Sequence, residues 1–211
     1  MNTVSIVKHY QKLYKAHGDA PESVQWANTE TQYKRFEILS EISTSIDSVI
    51  DLGCGLGAYY QYLKLNNFNG RYLGMDIVPE FVRHCKTLFN RDDNAKASLA
   101  RSGSRLPRGY DYIIASGIFN NKRDDNFQFM KSTIEEMISA AEVGVAFNAL
   151  STYVEYEDET LYYSDPLVVF DYLKREMGVH PLLKHDYILS EGRYPYEYTI
   201  YAYKNPILNL K

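Results

Sequence analysis

The chain has 211 residues, a formal net charge of −4 and 45% hydrophobic residues, enough to build one full hydrophobic core. Nucleic-acid binding rests largely on lysines and arginines that neutralise phosphates, so this charge balance predicts no nucleic-acid partner. The longest apolar runs, such as YIIASGIF, are far shorter than a membrane span, and the N-terminus has no signal-peptide pattern. We therefore predict a cytoplasmic protein that does not bind membranes.

The cysteine content is low. Cys54 and Cys85 form neither a C-x-x-C pair nor part of a Cys/His cluster. This spacing predicts no disulfide framework and no metal site, which agrees with a reducing compartment.

The first part of the chain is predicted to be helical, up to about residue 45. Within it, Thr29 and Gln32 have the spacing of a capping box. The apolar residues that follow at helical spacing are Tyr33, Phe36, Leu39 and Ile42. A helix over residues 29–42 therefore precedes the first strand.

Strand-like and helix-like segments then alternate. The predicted strands are VIDL, RYLGMDI, KASLA, DYIIAS and VGVAFNAL. Pro79 begins one of the intervening helices, and Asp165 and Pro166 resemble the N-cap and first residue of a later helix that carries Leu167, Phe170 and Met177. This alternation predicts an α/β fold with a doubly wound, mostly parallel sheet.

The C-terminal part has a different pattern. KHDYILS and YEYTIYAYK are strand-like and are joined by the turn-rich EGRYP, which predicts an antiparallel hairpin at one end of the sheet. No repeat or linker-like stretch divides the sequence. We therefore predict one domain over residues 1–211, with residues 1–45 as an N-terminal helical region.

The segment VIDLGCGLGAYYQYL, residues 49–63, predicts a ligand site at the end of the first strand. Gly53, Gly55 and Ala58 satisfy the dinucleotide pattern G-x-G-x-x-G/A. Asp51, however, lies two residues before Gly53, where a carboxylate would repel a pyrophosphate and attract an ammonium group. S-adenosylmethionine has an ammonium and a sulfonium and no phosphate, so Asp51 favours this cofactor over NAD.

Asp76 ends the next strand. A carboxylate there can accept hydrogen bonds from both hydroxyls of a ribose. Asp76 therefore predicts a cofactor that contains adenosine, but it does not distinguish S-adenosylmethionine from NAD.

VIDLGCGLGAYY together with YLGMDI resembles motifs I and II of the class I S-adenosylmethionine-dependent methyltransferases, and the resemblance covers about residues 25–204. It implies a Rossmann-like methyltransferase fold with a seven-stranded sheet, S-adenosyl-L-methionine as cofactor, and methyl transfer as the reaction. The cofactor-binding residues that it implies are Trp26, Arg35, Asp51, Gly53, Cys54, Gly55, Asp76, Ile77, Ser116 and Gly117.

Each of these residues has an expected role. The methionyl part would lie against Asp51 and the glycine turn, with Cys54 contributing its backbone, while Asp76 would bind the ribose and Ile77 would pack on adenine. Ser116 and Gly117 follow the fourth strand, where the family usually contacts the methionyl part. Arg35 could pair with the cofactor carboxylate, or be a solvated arginine on a helix surface.

The sequence departs from the family pattern at two places. ASLARSGSRLP offers Arg101, Ser102 and Gly103 where many members have an acidic residue for the adenine amino group. SGIFN follows the fourth strand in place of the (N/D)-P-P-(Y/F) motif of methylases that act on exocyclic amines of bases. The second departure, with the negative charge, argues against a DNA-base methylase.

We therefore predict a methyltransferase with a small-molecule acceptor. The predicted acceptor-site residues are Asn148, Tyr162 and Tyr163, and His185 is the candidate general base because its ordinary pKa suits neutral pH. His185 could equally pack within the terminal hairpin. Two other functions stay open, an NAD-dependent oxidoreductase and a non-catalytic protein that binds an adenosine cofactor or a partner.

Overall fold

The computed structural model describes residues 2–25, 28–101, 104–189 and 196–206. Two helices precede the sheet, α1 (Thr3–His17) and α2 (Thr29–Ser40), with a 3₁₀ turn, Pro21–Val24, between them. The N-cap of α2 is Asn28, whose Oδ1 accepts a hydrogen bond from the Thr31 N–H at 2.9 Å. The predicted capping box beginning at Thr29 was therefore one residue too late, because Asn28 is the N-cap and Thr29 is already the first residue of the helix.

The central sheet has seven strands in one path and a two-residue strand beside it. In chain order the strands are β1 (Ser48–Leu52), β2 (Arg71–Asp76), β3 (Ala95–Leu99), β4 (Tyr110–Ala115), β5 (Ala141–Ser151), β6 (Tyr163–Ser164), β7 (His180–Lys184) and β8 (Glu197–Tyr203). The spatial order is β3-β2-β1-β4-β5-β8-β7, and β6 pairs only with β5. Strands β1 to β5 are parallel, whereas β8 is antiparallel to both β5 and β7.

The order of the strands reverses between β1 and β4. In an open parallel sheet, a crevice forms at such a point beyond the carboxyl ends of the strands. This topology confirms the predicted doubly wound sheet with a C-terminal antiparallel hairpin. It also puts the residues that follow β1, β2 and β4 at one edge of the sheet.

Helices cover both faces of the sheet. They are α3 (Ala58–Leu65), α4 (Pro79–Leu88), α5 (Asn126–Ala140) and α6 (Pro166–Asp171), the last continued by a π-helical turn, Tyr172–Glu176. One core cluster joins the sheet to α5 and α6, and the other joins it to α2, α3 and α4. Among the helices of the described ranges, none is both long and apolar enough to cross a membrane.

Several tyrosines are buried in the core clusters on the two faces of the sheet. The chain has 20 of them, and Tyr59, Tyr72, Tyr198 and Tyr201 are among the largest fully buried side chains. Buried phenols need a partner, and the Tyr201 hydroxyl, for example, donates to the Ile38 carbonyl oxygen at 2.6 Å. Packing therefore accounts for these four aromatic side chains.

Two predicted elements near the C-terminus differ from the structure. Asp165 does cap α6, since its Oδ1 accepts from the Leu167 N–H at 2.8 Å. The buried side chains of this helical segment, however, include Val169, Tyr172 and Leu173, and Leu167 is exposed. The buried stripe is therefore displaced from the predicted positions already within α6, before the π-helical turn begins at Tyr172.

The first strand of the hairpin begins earlier than predicted. It spans His180–Lys184 rather than residues 184–190, and Lys184 pairs with Thr199. Pro181 is tolerated because β7 is an edge strand. His185 therefore follows the strand, and the predicted turn EGRYP lies outside the described residues.

Candidate active site

The glycine turn leads from β1 into α3 and requires glycine at two positions that approach other segments. Gly53 and Gly55 have φ angles of 81° and 53°. A Cβ atom on Gly53 would lie 2.3 Å from Ile118 Cγ2, and one on Gly55 would lie 2.9 Å from Val24 Cγ1. Side chains are therefore excluded both by backbone conformation and by the close packing of Ile118 and Val24, and the two glycines line both cavities.

Asp51 is buried near the end of β1. Its Oδ2 accepts a hydrogen bond from the Tyr72 hydroxyl at 2.6 Å. Burial raises the pKa of Asp51 to about 7; the bond from Tyr72 acts in the opposite direction, and the negative charge of Asp76 adds to the rise. A cation placed beside this carboxylate would stabilise its ionised form.

Asp76 is the last residue of β2, and its side chain organises the glycine turn. Its Oδ2 accepts from the Gly55 N–H and its Oδ1 from the Val78 N–H, both at 2.9 Å. Burial raises the pKa of Asp76 to about 6, although these backbone hydrogen bonds lower it. Each oxygen retains a second lone pair that can accept a hydrogen bond from a ligand.

Two neighbouring cavities open along the turn. The larger, of about 610 Å³, is lined by Asp76 and Ile77, and the smaller, of about 220 Å³, by Asp51 and Cys54. Both are lined by Val24, Gly53, Gly55 and Ser116. The two cavities therefore adjoin along the glycine turn and are together called the elongated site, with an aspartate in the lining of each part.

Ser116 and Gly117 follow β4 and complete the wall of this site. Ser116 lines both cavities, and Gly117 lines the larger one. The Ser116 Oγ is buried, and no residue of the described ranges gives it a hydrogen-bond partner. A buried hydroxyl in a cavity wall is expected to bond to whatever fills the cavity.

Cys54 presents its backbone rather than a reactive thiol. The Cys54 and Cys85 Sγ atoms lie 3.8 Å and 3.3 Å from the Gly55 carbonyl oxygen. Hydrogen bonding with Cys85 and burial raise the pKa of the Cys54 thiol well above its ordinary value. A neutral buried thiol is a poor nucleophile.

Arg35 and Asn148 lie outside the lining of both cavities and belong to a buried polar network. The Arg35 Nε donates to both carboxylate oxygens of Glu197 at 2.9 Å. Asn148 donates from Nδ2 to Glu197 Oε2 at 3.0 Å and accepts from the Gly117 N–H at 2.8 Å. The guanidinium expected to meet a cofactor carboxylate is thus engaged with Glu197, and Asn148 supports the turn after β4 from behind.

Glu197 is the residue of this network that sequence reasoning missed. It is an acidic residue in the otherwise apolar and aromatic YEYTIYAY, and it is only 2% exposed. An acidic residue among the aromatic and apolar residues of a strand is a signal that a cationic partner lies nearby.

Tyr162, Tyr163 and His185 do not line either cavity. The Tyr162 N–H donates to the Asn120 carbonyl oxygen at 2.9 Å, and the Tyr163 hydroxyl accepts from the Asp158 N–H at 3.2 Å. The His185 ring lies between Tyr153 and Tyr198, with ring centroids 5.8 Å and 6.4 Å away. The structure therefore does not bring these three residues to Asp51 and Asp76, and Trp26 lies outside the described residues.

Helix α1 supplies lining residues that the sequence did not indicate. Thr3, Ile6 and Tyr10 border the larger cavity, and the Tyr10 hydroxyl accepts from Asn121 Nδ2 at 2.7 Å. Arg123 and Phe129 border the same cavity. No local motif marks these residues, since they meet only when α1 packs across the end of the sheet.

Comparisons with known proteins identify the family of the chain. Residues 50–139 match a family model described as "Methyltransferase domain". The chain is 36% identical over 163 residues to "Putative methyltransferase Rv1506c" of Mycobacterium tuberculosis, a match that covers 74% of this chain and 93% of the relative.

Solved structures share the fold at low sequence identity. Magnesium protoporphyrin IX methyltransferase from Synechocystis PCC 6803, solved with bound S-adenosylmethionine, matches with a TM-score of 0.67 and 13% identity over 97% of this chain and 98% of that one. A methyltransferase from Aquifex aeolicus matches with a TM-score of 0.60 and 17% identity over 94% and 98% of the two chains. With the matched relative and the glycine turn between two strand-end aspartates, these findings show that the chain belongs to the class I S-adenosylmethionine-dependent methyltransferase family.

Proposed function

We propose that the protein transfers the methyl group of S-adenosyl-L-methionine to a small-molecule acceptor in the elongated site. The observation that carries this proposal is the pair of buried aspartates, Asp51 and Asp76, one in the lining of each of two adjoining cavities. Asp51 suits a cationic amino group, and Asp76 suits the hydroxyls of a ribose.

The cofactor fits the groups that border the site. Its amino group would lie near Asp51, its ribose would bond to Asp76, and its adenine would pack on Ile77. The buried Ser116 hydroxyl is a donor for the methionyl carboxylate. When bound, S-adenosylmethionine supplies an electrophilic methyl group on its sulfonium.

The protein's contribution is alignment and exclusion of water. The glycine turn fixes the backbone through N–H bonds from Gly53 and Cys54 to the Met75 carbonyl oxygen, at 2.7 and 3.1 Å. Ile6 and Tyr10 of α1 border the larger cavity from the N-terminal region. A substitution at a methyl group is accelerated chiefly by holding donor and acceptor in line, so a rigid enclosed site suffices.

A small acceptor fits the remaining space better than a macromolecule does. The larger cavity has the size of a small-molecule site, and its lining continues past the aspartates to Phe129 and Arg123. His185, Tyr162 and Tyr163 line neither cavity, so our proposal gives them no contact with the acceptor.

The rival cofactor NAD conflicts with the charge of the site. Its pyrophosphate would have to lie against the glycine turn, close to the buried Asp51 carboxyl. Repulsion between these anions would disfavour binding in a cavity of low dielectric constant.

A thermal-shift experiment tests the cofactor assignment. S-adenosylhomocysteine at one hundred times its dissociation constant should stabilise the protein by about 2.7 kcal/mol, whereas NAD should leave the melting temperature unchanged. Stabilisation by NAD alone would contradict the proposal.

A second experiment tests catalysis. The protein should transfer label from methyl-labelled S-adenosylmethionine to a component of a metabolite extract, and Asp76→Ala should reduce this transfer. Cofactor binding without transfer to any extract would favour the non-catalytic binding protein.

A further inference from the structure

Arg123 is a charged side chain in the wall of the larger cavity. It lies in the loop between β4 and α5, where its backbone N–H donates to Asn126 Oδ1 at 2.8 Å. Its guanidinium carbon lies 3.7 Å from the centroid of the Phe129 ring, and both residues line the cavity. Stacking on the ring therefore holds the guanidinium at the cavity wall.

The charge of Arg123 is not balanced by an acidic side chain. Among the described residues, no Asp or Glu forms an ion pair with Arg123, and its Nε is buried without a hydrogen-bond partner. Burial lowers the pKa of Arg123 from its ordinary value, which indicates that the charge is partly desolvated. Partial burial of a charge without a counter-ion costs free energy, and an anionic ligand would offset that cost.

Tyr10 provides a second donor next to this charge. Its hydroxyl oxygen accepts from Asn121 Nδ2, and no group in the described ranges accepts its proton. Burial raises the pKa of Tyr10 to about 12, so the phenol is neutral at physiological pH and can donate. The charges of Asp76 and Arg123 both act on this hydroxyl, and all three residues line the larger cavity.

We propose that the methyl acceptor carries an anionic oxygen group, a carboxylate or a phosphate ester, which binds Arg123 in the part of the larger cavity bounded by α1, Asn121 and Phe129. This inference rests on the proposed function, because it assumes that the cofactor occupies the part of the site between Asp51 and Asp76. The planar guanidinium can bind either anion through two parallel hydrogen bonds. The apolar groups beside it, Ile6 and Phe129, suit a hydrocarbon or aromatic body attached to that anion.

The test uses protein saturated with S-adenosylhomocysteine, whose own binding is first measured by calorimetry. Benzoate and phenyl phosphate serve as anionic probes, and benzamide serves as the neutral control of similar shape. We expect at least one anion to bind at least about tenfold more tightly than benzamide, since charged hydrogen bonds are the stronger ones. Comparison of the two anions distinguishes a carboxylate site from a phosphate site.

Variants assign the effect to one side chain. Arg123→Met keeps an unbranched apolar side chain but removes the charge and should abolish the preference for the anions, whereas Arg123→Lys should keep a weaker preference. Arg91→Met, at an exposed arginine away from the cavity, should bind all three probes as the wild type does. In the wild type, the Arg123 Nε–H resonance should shift when the anion is added, which gives a readout even if a variant fails to fold.

Three results would overturn the inference while S-adenosylhomocysteine still binds. The first is equal binding of benzoate, phenyl phosphate and benzamide, or no binding of any of them. The second is competition between the anions and S-adenosylhomocysteine. The third is a loss of S-adenosylhomocysteine affinity in Arg123→Met that matches the loss of anion affinity, which would assign Arg123 to the cofactor carboxylate. Failure of S-adenosylhomocysteine to bind the wild type would instead contradict the proposed function.

Discussion

Burial raises the pKa of both strand-end aspartates, Asp51 and Asp76. The cationic group proposed to bind Asp51 would lower the pKa of that carboxyl again. Burial holds the pKa of Asp51 at about 7, and the carboxyl must ionise to pair with a cationic amino group. We therefore expect S-adenosylmethionine affinity to fall by up to about tenfold per pH unit as the pH drops below 7. Calorimetric titrations between about pH 5.5 and 8.5, on both sides of the Asp51 pKa, would measure this change in affinity.

A variant of Tyr72 tests whether the pH dependence comes from Asp51 rather than from another titrating group. Tyr72→Phe removes the hydrogen bond that lowers the pKa of Asp51, so the midpoint of the affinity profile should move to higher pH. An unchanged midpoint would show that another group governs the pH dependence.

Asp76 stabilises the glycine turn and is also the proposed acceptor for the ribose hydroxyls. Asp76→Ala should weaken cofactor binding by about 1.5–3 kcal/mol for each charge-assisted hydrogen bond lost. It also removes the acceptor of the Gly55 and Val78 N–H groups, so the glycine turn should loosen as well. Asp76→Asn keeps one acceptor oxygen and should have a smaller effect on both affinity and melting temperature; equal effects of the two variants would contradict this.

At the scale of elements, one buried network joins α2, β5, β8 and the turn after β4. Glu197 binds Arg35 and Asn148, and Asn148 binds the Gly117 N–H. Removing one partner of a buried ion pair typically costs about 3–5 kcal/mol. Glu197→Ala should therefore lower the free energy of unfolding by about this amount in urea denaturation.

A surface pair provides the control for the Glu197 prediction. Glu37 pairs with Lys34 at 2.7 Å on the exposed face of α2. Since exposed pairs contribute about 1 kcal/mol or less, Glu37→Ala should have a small effect. Similar losses in the two variants would refute a special role for the buried network.

For the whole molecule, the buried aspartates make ligand-free stability depend on pH. Their folded pKa values, about 7 and about 6, lie above the ordinary value of 3.8. The folded state thus binds more protons than the unfolded state between these values, and this contribution to stability is present below pH 4 and is lost as the pH rises through 6 to 7. Asp51→Asn should be more stable than the wild type at pH 8, by more than about 1 kcal/mol, and the difference should shrink towards pH 5.

Urea denaturation of the wild type and Asp51→Asn at both pH values measures this difference. Asn148→Ala, which alters a buried polar side chain without a titratable group, controls for loss of a hydrogen bond. A stability difference between wild type and Asp51→Asn that does not change with pH would contradict the expected titration.

The sequence by itself determined the parts of the site that depend on residues close together in the chain. The glycine turn needs positive φ angles and close approach of the backbone, and Asp51 and Asp76 stand at the ends of strands recognisable from their apolar runs. These features follow from local conformation, so spacing alone was enough to predict them.

Only the tertiary structure decided which distant side chains meet. Arg35 pairs with Glu197, 162 positions away, and Tyr10 bonds to Asn121, 111 positions away. Such pairs depend on the register of β8 beside β5 and on the packing of α1 across the sheet, and no local pattern encodes either. The position of His185 also depends on tertiary structure. The residues around it predict a strand, but pairing with β8 ends β7 at Lys184, so His185 lies beyond the strand and lines neither cavity.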